Sequence, residues 1–204
     1  MENIILSLLL LNNMTIYEMR TYIQKNLSTV CSDSLGSMQT SIKKLLEKGF
    51  IEVTEILDNN MLKKEYSITK AGLDFYKDWT GTPLNIQKFK NMEEGKFFFL
   101  GMASKEKRIR FLQQHIYALD SEMEKLNKIK ALVDSTKKDA ISVNINRFKK
   151  EKTISKNLLK VSEETDIETV VKNIYTYQIY MLEYGLERIK SDLDFYKKIL
   201  RKEM

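Results

Sequence analysis

Residues 34–72 read SLGSMQTSIKKLLEKGF, IEVTEIL, DNN, MLKKEYSI and TKAG, and the order of signals in this stretch decides the fold. Met38, Ile42, Leu45 and Leu46 recur at steps of three and four, so one face of a helix is apolar. Gly49 follows Lys48 and suits the left-handed position that ends a helix. The period then changes to that of a strand over Ile51, Val53 and Ile56. Asp58-Asn59-Asn60 is turn chemistry, since these side chains bond their own backbone and tolerate positive φ. Tyr66 and Ile68 mark one face of a returning strand, Glu65 and Ser67 the other. Thr69 is a good N-cap for a helix carrying Leu73, Phe75, Tyr76 and Trp79.

Two helices precede this stretch. Residues 4–11, IILSLLLL, are almost wholly apolar and predict a helix buried all round. At about 8–10 residues it falls short of the ~20 a membrane span requires, and it lacks the flanks of a signal peptide. Thr15-Ile16-Tyr17-Glu18 reads as a capping box opening a second helix to about Leu27. Ser28 to Asp33 is then the turn before the third helix, which Ser34 caps. Helix, helix, turn, helix, hairpin, helix is a complete winged helix. The expectation is a mostly α chain with a small β-hairpin, an N-terminal winged helix over residues 1–80 and a helical, coiled-coil domain over 84–204.

The segments LLLLNNMTIYEM, SLGSMQTSIKKLLEKGFI and KKEYSITKAG carry a resemblance to the PadR family of winged-helix transcription regulators. Met14, Tyr17 and Glu18 match the family's Met-His-Gly-Tyr-Glu box, with Thr15 and Ile16 in place of His and Gly. Leu45, Gly49 and Phe50 match its recognition segment, where Gln39 stands at a position usually held by a DNA-contacting Tyr. Tyr66, Ile68, Thr69, Ala71 and Gly72 match its wing exit. The match covers residues 4–80; the remainder resembles, more loosely, the larger virulence-activator-like members. The resemblance implies DNA binding as a homodimer, repression, and, as in some relatives, response to phenolic acids or planar drugs.

Composition sets bounds on this reading. The 204 residues include one Pro, seven Gly and one Cys and carry a net charge of +6. Yet residues 1–80 hold 9 Lys+Arg against 10 Asp+Glu, and the surplus lies in 81–204, with 25 against 18. DNA binding therefore rests on placement. Lys43, Lys44 and Lys48 lie on the recognition helix, and Lys63 and Lys64 on the wing, five cations at two protruding elements. The expected DNA-facing set is Ser37, Gln39, Thr40, Lys43 and Lys44 in the major groove. Lys63, Lys64, Asn59 and Asn60 would sit on the backbone or in the minor groove, and Tyr17 and the helix start at Ser34 on phosphates. The single Cys31 suits a reducing, cytoplasmic setting, as an inert thiol or as an oxidant sensor.

The second half is organised for helix packing. Ile109, Leu112, Ile116, Leu119, Met123 and Leu126 alternate steps of three and four, as do Tyr175, Ile179, Leu182, Leu186, Ile189 and Leu193. The seams serve either a homodimer, which symmetric operators require, or a hairpin within one chain. A second stripe, Val170, Ile174, Tyr177, Met181 and Tyr184, runs beside the last helix. Residues 134–168 have no sustained period, and their run of Arg147, Lys149, Lys150, Lys152, Lys156 and Lys160 reads as a solvated connection with one helix around residues 146–160, or as a second phosphate patch. Trp79, Phe97, Tyr177 and Tyr184 are candidates for an aromatic effector site, or else for core. Catalysis, cofactors and metals have no support: His115 is the only histidine, sits beside the heptad seam and lacks evident partners. The rival function is a protein-interaction module without specific DNA binding.

Overall fold

The computed structural model describes residues 1–27, 31–58, 61–83 and 94–204. The element order is α1 (Glu2–Leu11), β1 (Met14–Thr15), α2 (Ile16–Asn26), α3 (Leu35–Glu47), β2 (Ile51–Asp58), β3 (Met61–Ile68), α4 (Lys70–Thr80), α5 (Glu94–Phe98), α6 (Lys105–Lys150), α7 (Lys152–Ser162) and α8 (Ile167–Glu203). The winged-helix order is therefore present, with caps where the side chains place them. Thr15 and Glu18 form the capping box of α2 in both directions. Thr69 accepts from the Gly72 amide at 3.1 Å to open α4. Gly49 has φ +67, the left-handed conformation that stops α3. Ser34 stands at the N-cap of α3, but its side chain makes no capping bond, so the capping role expected of it is not observed.

The sheet has three antiparallel strands in the order β1-β3-β2. The register pairs Ile51 with Ile68, Val53 with Tyr66 and Leu57 with Leu62. The two-residue β1, pairing Met14 with Tyr66, was not expected; it is too short to show a period. The turn residues Asn59 and Asn60, residues 28–30 of the turn before α3 and residues 84–93 of the expected helical domain lie outside the described residues.

The chain divides into two compact units. The first comprises residues 1–83 and 145–170. Its core is α1 itself (Ile5, Leu6, Leu8 and Leu9 at most 2% exposed) with Met19, Ile23, Met38, Leu45 and Leu73. Segment 145–170 packs here, α7 lying against α1 and α4, with Phe148, Leu158, Ile167 and Val170 buried. Its cations act in this packing. Lys160 pairs with Asp74 at 2.6 Å and Lys149 with Glu168 at 2.6 Å. Arg147 donates to the Leu11 carbonyl at the end of α1. Of the six cations read as a possible phosphate patch, these three are thus engaged within the unit.

The second unit comprises residues 84–144 and 171–204. Here α6 and α8 run antiparallel. Arg108 bonds Glu203, Asp120 pairs with Lys197, Lys130 with Glu183, and the Tyr175 hydroxyl donates to the Val133 carbonyl. Lys130 interrupts the heptad pattern without breaking the helix, because it is an ion-pair anchor to Asp134 and Glu183. No Gly or Pro occurs between Lys105 and Lys150, so α6 continues for 46 residues.

The base of the hairpin depends on Gly72. A Cβ there would overlap the Phe50 carbonyl and stand 2.9 Å from Ile68 Cγ1. That carbonyl accepts the Thr69 amide at 3.0 Å, so it cannot move away. Gly72→Ala is expected to lower stability by about 2 kcal/mol or more, at the upper part of the usual cost of overpacking; urea unfolding followed by circular dichroism measures it, with Gly81→Ala as the tolerated control, since its Cβ would meet nothing closer than 3.6 Å.

Candidate nucleic-acid interface

Helix α3 divides cleanly between two faces. Met38, Ser41, Ile42 and Leu45 are buried, and Ser37, Gln39, Thr40, Lys43 and Lys44 are all exposed. Gly36 stands on the outward side with nothing within 4 Å of where a Cβ would be, so packing does not demand a glycine there. Composition-based reading overlooked it; its signal is a helix-weakening residue with no structural cause. The Thr40 hydroxyl donates back to the Gly36 carbonyl at 2.8 Å and keeps its lone pairs outward. Lys43 has Glu47 at 4.0 Å, an exposed i,i+4 pair of small energetic weight. Lys48 points elsewhere, to Glu2 at 2.7 Å, where it ties the end of α3 to the start of α1.

A second helix sets the attitude of α3. Arg20 Nε of α2 donates to the Asp33 carbonyl at 3.2 Å, and Gln24 Nε2 donates to the Asp33 carboxylate at 2.6 Å. The Gln24 hydrogen bond, with help from the backbone and Arg20, holds the Asp33 carboxyl below the ordinary range. Tyr17, on the first turn of α2, is 77% exposed with its hydroxyl free to reach a phosphate. Cys31 is partly buried, and burial pushes its thiol pKa up. That is the opposite of what a thiolate sensor requires.

Both expected wing lysines lie on β3. Lys64 is exposed and lies across from Glu55, and Lys63 is half-buried across from Ile56. The two strands carry four acidic residues against these two lysines. The strand ends flanking the turn also carry exposed apolar side chains: Leu57, Met61 and Leu62 are 73%, 60% and 67% exposed.

In the second unit, the seam residues Ile109, Leu112, Ile116 and Leu119 of α6 and Tyr175, Ile179, Leu182, Leu186, Ile189 and Leu193 of α8 belong to helices that pack on each other. Leu112, Ile189 and Leu193 are buried. Leu126 Cδ1 lies 3.4 Å from the Cβ position of Gly185. The other seven seam residues are only half-buried within the hairpin. Of the second stripe, Val170 is buried and Ile174 half-buried, whereas Tyr177, Met181 and Tyr184, with Tyr180 beside them, are 49–73% exposed on α8, and Leu132 of α6 is 63% exposed. Among the effector candidates, Phe97 is not brought to Tyr177 and Tyr184 within the second unit. Trp79 packs on Tyr76 in the first unit. In the second unit, Phe97 packs edge-on against Phe195 and Tyr196, far along α8 from Tyr177 and Tyr184. His115 stacks between Phe111 and Tyr196. Among the described residues, no group of three or more His, Cys, Asp or Glu side chains could hold a metal ion, and no helix is long and apolar enough to cross a membrane.

No protein-family model matches the sequence, and no curated protein matches it. Solved structures do. Bacillus subtilis PadR in complex with operator DNA is similar at TM-score 0.71 and 18% identity, over 100% of this chain and 98% of that one. The same protein in complex with p-coumaric acid gives 0.63 and 17%, over 99% and 97%. The Vibrio cholerae virulence activator AphA gives 0.65 and 15%, over 98% and 96%. The chain has the fold of the PadR-like winged-helix regulators along its whole length.

Asp33 ties α3 to α2 through its charged form, so its contribution to stability is full above the ordinary aspartate pKa of about 4 and is lost as pH falls through the depressed folded value. Asp33→Asn is expected to lower the melting temperature at pH 7 and to shrink the acid-induced loss between about pH 5 and pH 2 relative to wild type. Thermal scans across that range check it.

Proposed function

We propose that this chain is a sequence-specific, DNA-binding transcription regulator that acts as a homodimeric repressor. The observation that carries the reading is the outward face of α3. Gln39, Thr40, Lys43 and Lys44 are exposed on a helix whose other face is wholly committed to the core. Gln39 has the donor and acceptor pair that reads an adenine, and the lysines reach guanine or phosphate. Gly36 leaves the start of the helix without a side chain where backbone amides would approach a phosphate. Support also comes from the neighbour solved with operator DNA, whose fold is shared over the full chain.

A homodimer follows from what operators require, two recognition helices about one DNA turn apart. The dimer contact proposed here is the exposed stripe of Tyr177, Tyr180, Met181 and Tyr184 with Leu132, beside seams of which seven residues are half-buried within the hairpin. A stripe on one helix is suited to a self-complementary, two-fold contact. A small aromatic effector is part of the proposal on the strength of the neighbour solved with p-coumaric acid. Its most suitable surroundings are the rings around Tyr196 rather than the scattered residues Trp79, Tyr177 and Tyr184.

Fluorescence-anisotropy titration against the duplex upstream of the chain's own coding sequence, at several salt concentrations, tests the DNA assignment. Lys43→Ala with Lys44→Ala is expected to weaken binding at least tenfold and to flatten the log-log salt slope by about 0.9 for each phosphate contact removed. Unchanged affinity and slope would remove this face from the interface. For the dimer, Tyr177→Ser with Tyr184→Ser is expected to yield a folded monomer in sedimentation velocity. Leu112→Ala, at a buried seam position, is expected instead to cost about 2–5 kcal/mol of stability.

A further inference from the structure

The strand ends that flank the wing's turn are apolar where a DNA-binding hairpin would ordinarily be basic. Leu57 and Leu62 are directly opposed across the two strands and lie on one face of the ribbon. Both side chains are largely exposed, as is Met61 beside them. Nothing in the fold requires them. The hydrophobic face of the sheet ends at Val53 and Tyr66, and Glu55 opposite Lys64 separates it from the leucine pair. Exposed leucines at the end of a hairpin invite unwanted pairing, and proteins normally replace them with charge. The charges that are present do not favour a phosphate-bound tip, since acidic residues outnumber lysines on the two strands by four to two. If the tip gains free energy on DNA, the gain must come from burying apolar surface.

The reach of the hairpin identifies where. Ile51 and Ile68 are buried at its base. Leu57 lies six residues further on, ~20 Å away at the rise of a strand. That is close to half the ~34 Å repeat of the duplex, which is the offset between a major groove and the neighbouring minor groove. Leucine is among the side chains that wedge between base steps from the minor groove and kink the helix.

We propose that Leu57 and Leu62 form an apolar wedge that enters the minor groove flanking the α3 site and unstacks a base step there. The ligand is then a duplex that bends easily at that point, with a flexible pyrimidine–purine step beneath the wing. This rests on the reading of α3 as the major-groove element.

The test uses the full chain and the upstream duplex labelled at both ends, so that energy transfer reports bending while anisotropy reports binding. Wild type is expected to bend the duplex by at least about 20°. Leu57→Ser with Leu62→Ser is expected to bind about tenfold more weakly, with the salt slope unchanged because no phosphate contact is lost, and to leave the duplex straight. Both side chains are exposed, so the variant folds, as circular dichroism verifies. Leu57→Met with Leu62→Met keeps an apolar tip and is expected to keep the bend. A wild type that binds without bending, or a serine variant that bends equally well, overturns the wedge and leaves the α3 assignment standing. If wild type binds no duplex at low salt, both readings fall and the tip is left to a protein partner.

Discussion

The geometry of the first unit hangs on a single backbone carbonyl. Phe50 O lies where the end of α3, the base of the hairpin and the start of α4 converge, and it accepts the Thr69 amide. Thr69 closes the junction by donating its hydroxyl to the Gly49 carbonyl at 2.7 Å while accepting from the Gly72 amide. The two glycines answer different demands. Gly49 is required for its left-handed backbone, Gly72 for the space its missing side chain leaves. With the junction locked, the exit of α3 and the entry of β2 have one relative arrangement, so the recognition helix and the wing are presented as a rigid pair.

Charge in this unit is used mostly for assembly. Lys48 is spent on Glu2, Lys77 on Glu163, Lys149 on Glu168 and Lys160 on Asp74. The last three fasten the returning segment 145–170 to the rest of the unit or to itself. Lys43 and Lys44, by contrast, stand on the outward face of α3 in a unit that is close to neutral. The attraction for phosphate proposed for this unit therefore rests on these two positions and not on its net charge.

Much of the winged helix was legible because its signals are local. A capping box, a glycine at a helix end and alternating Tyr66 and Ile68 each depend on a few neighbouring residues, and each is present as read. The failures share the opposite property. β1 exists only because Met14 happens to lie beside Tyr66. The continuity of α6 through 134–150 was not read, because its inward residues, Ile141, Ile145 and Phe148, form too short a stripe to stand out among the exposed polar residues around them. The lysine run of 147–160 was ambiguous in isolation and resolved only when Asp74, Glu168 and the Leu11 carbonyl came alongside. At the interface, the exposed side chains of α3 were readable from the helical period. The apolar strand ends of the wing were not, because their meaning depends on the cross-strand register and on where the core stops.

The heptad seams show how a correct period leaves the partner undetermined. An alternation of three and four says that a helix is packed along one side; it does not say on what. Here antiparallel pairing within the chain is enforced by charges that fit only that direction, Arg108 on Glu203 at one end and Lys130 on Glu183 toward the other. The large side chains left exposed along the middle of α8 are mainly tyrosine. Tyrosine supplies a large contact area at low entropic cost and keeps a hydroxyl for water when the face is bare. A stripe of that kind tolerates exposure in a monomer far better than leucine would. It suits a contact made after the hairpin has folded, in which the geometry of each protomer is complete before two of them meet.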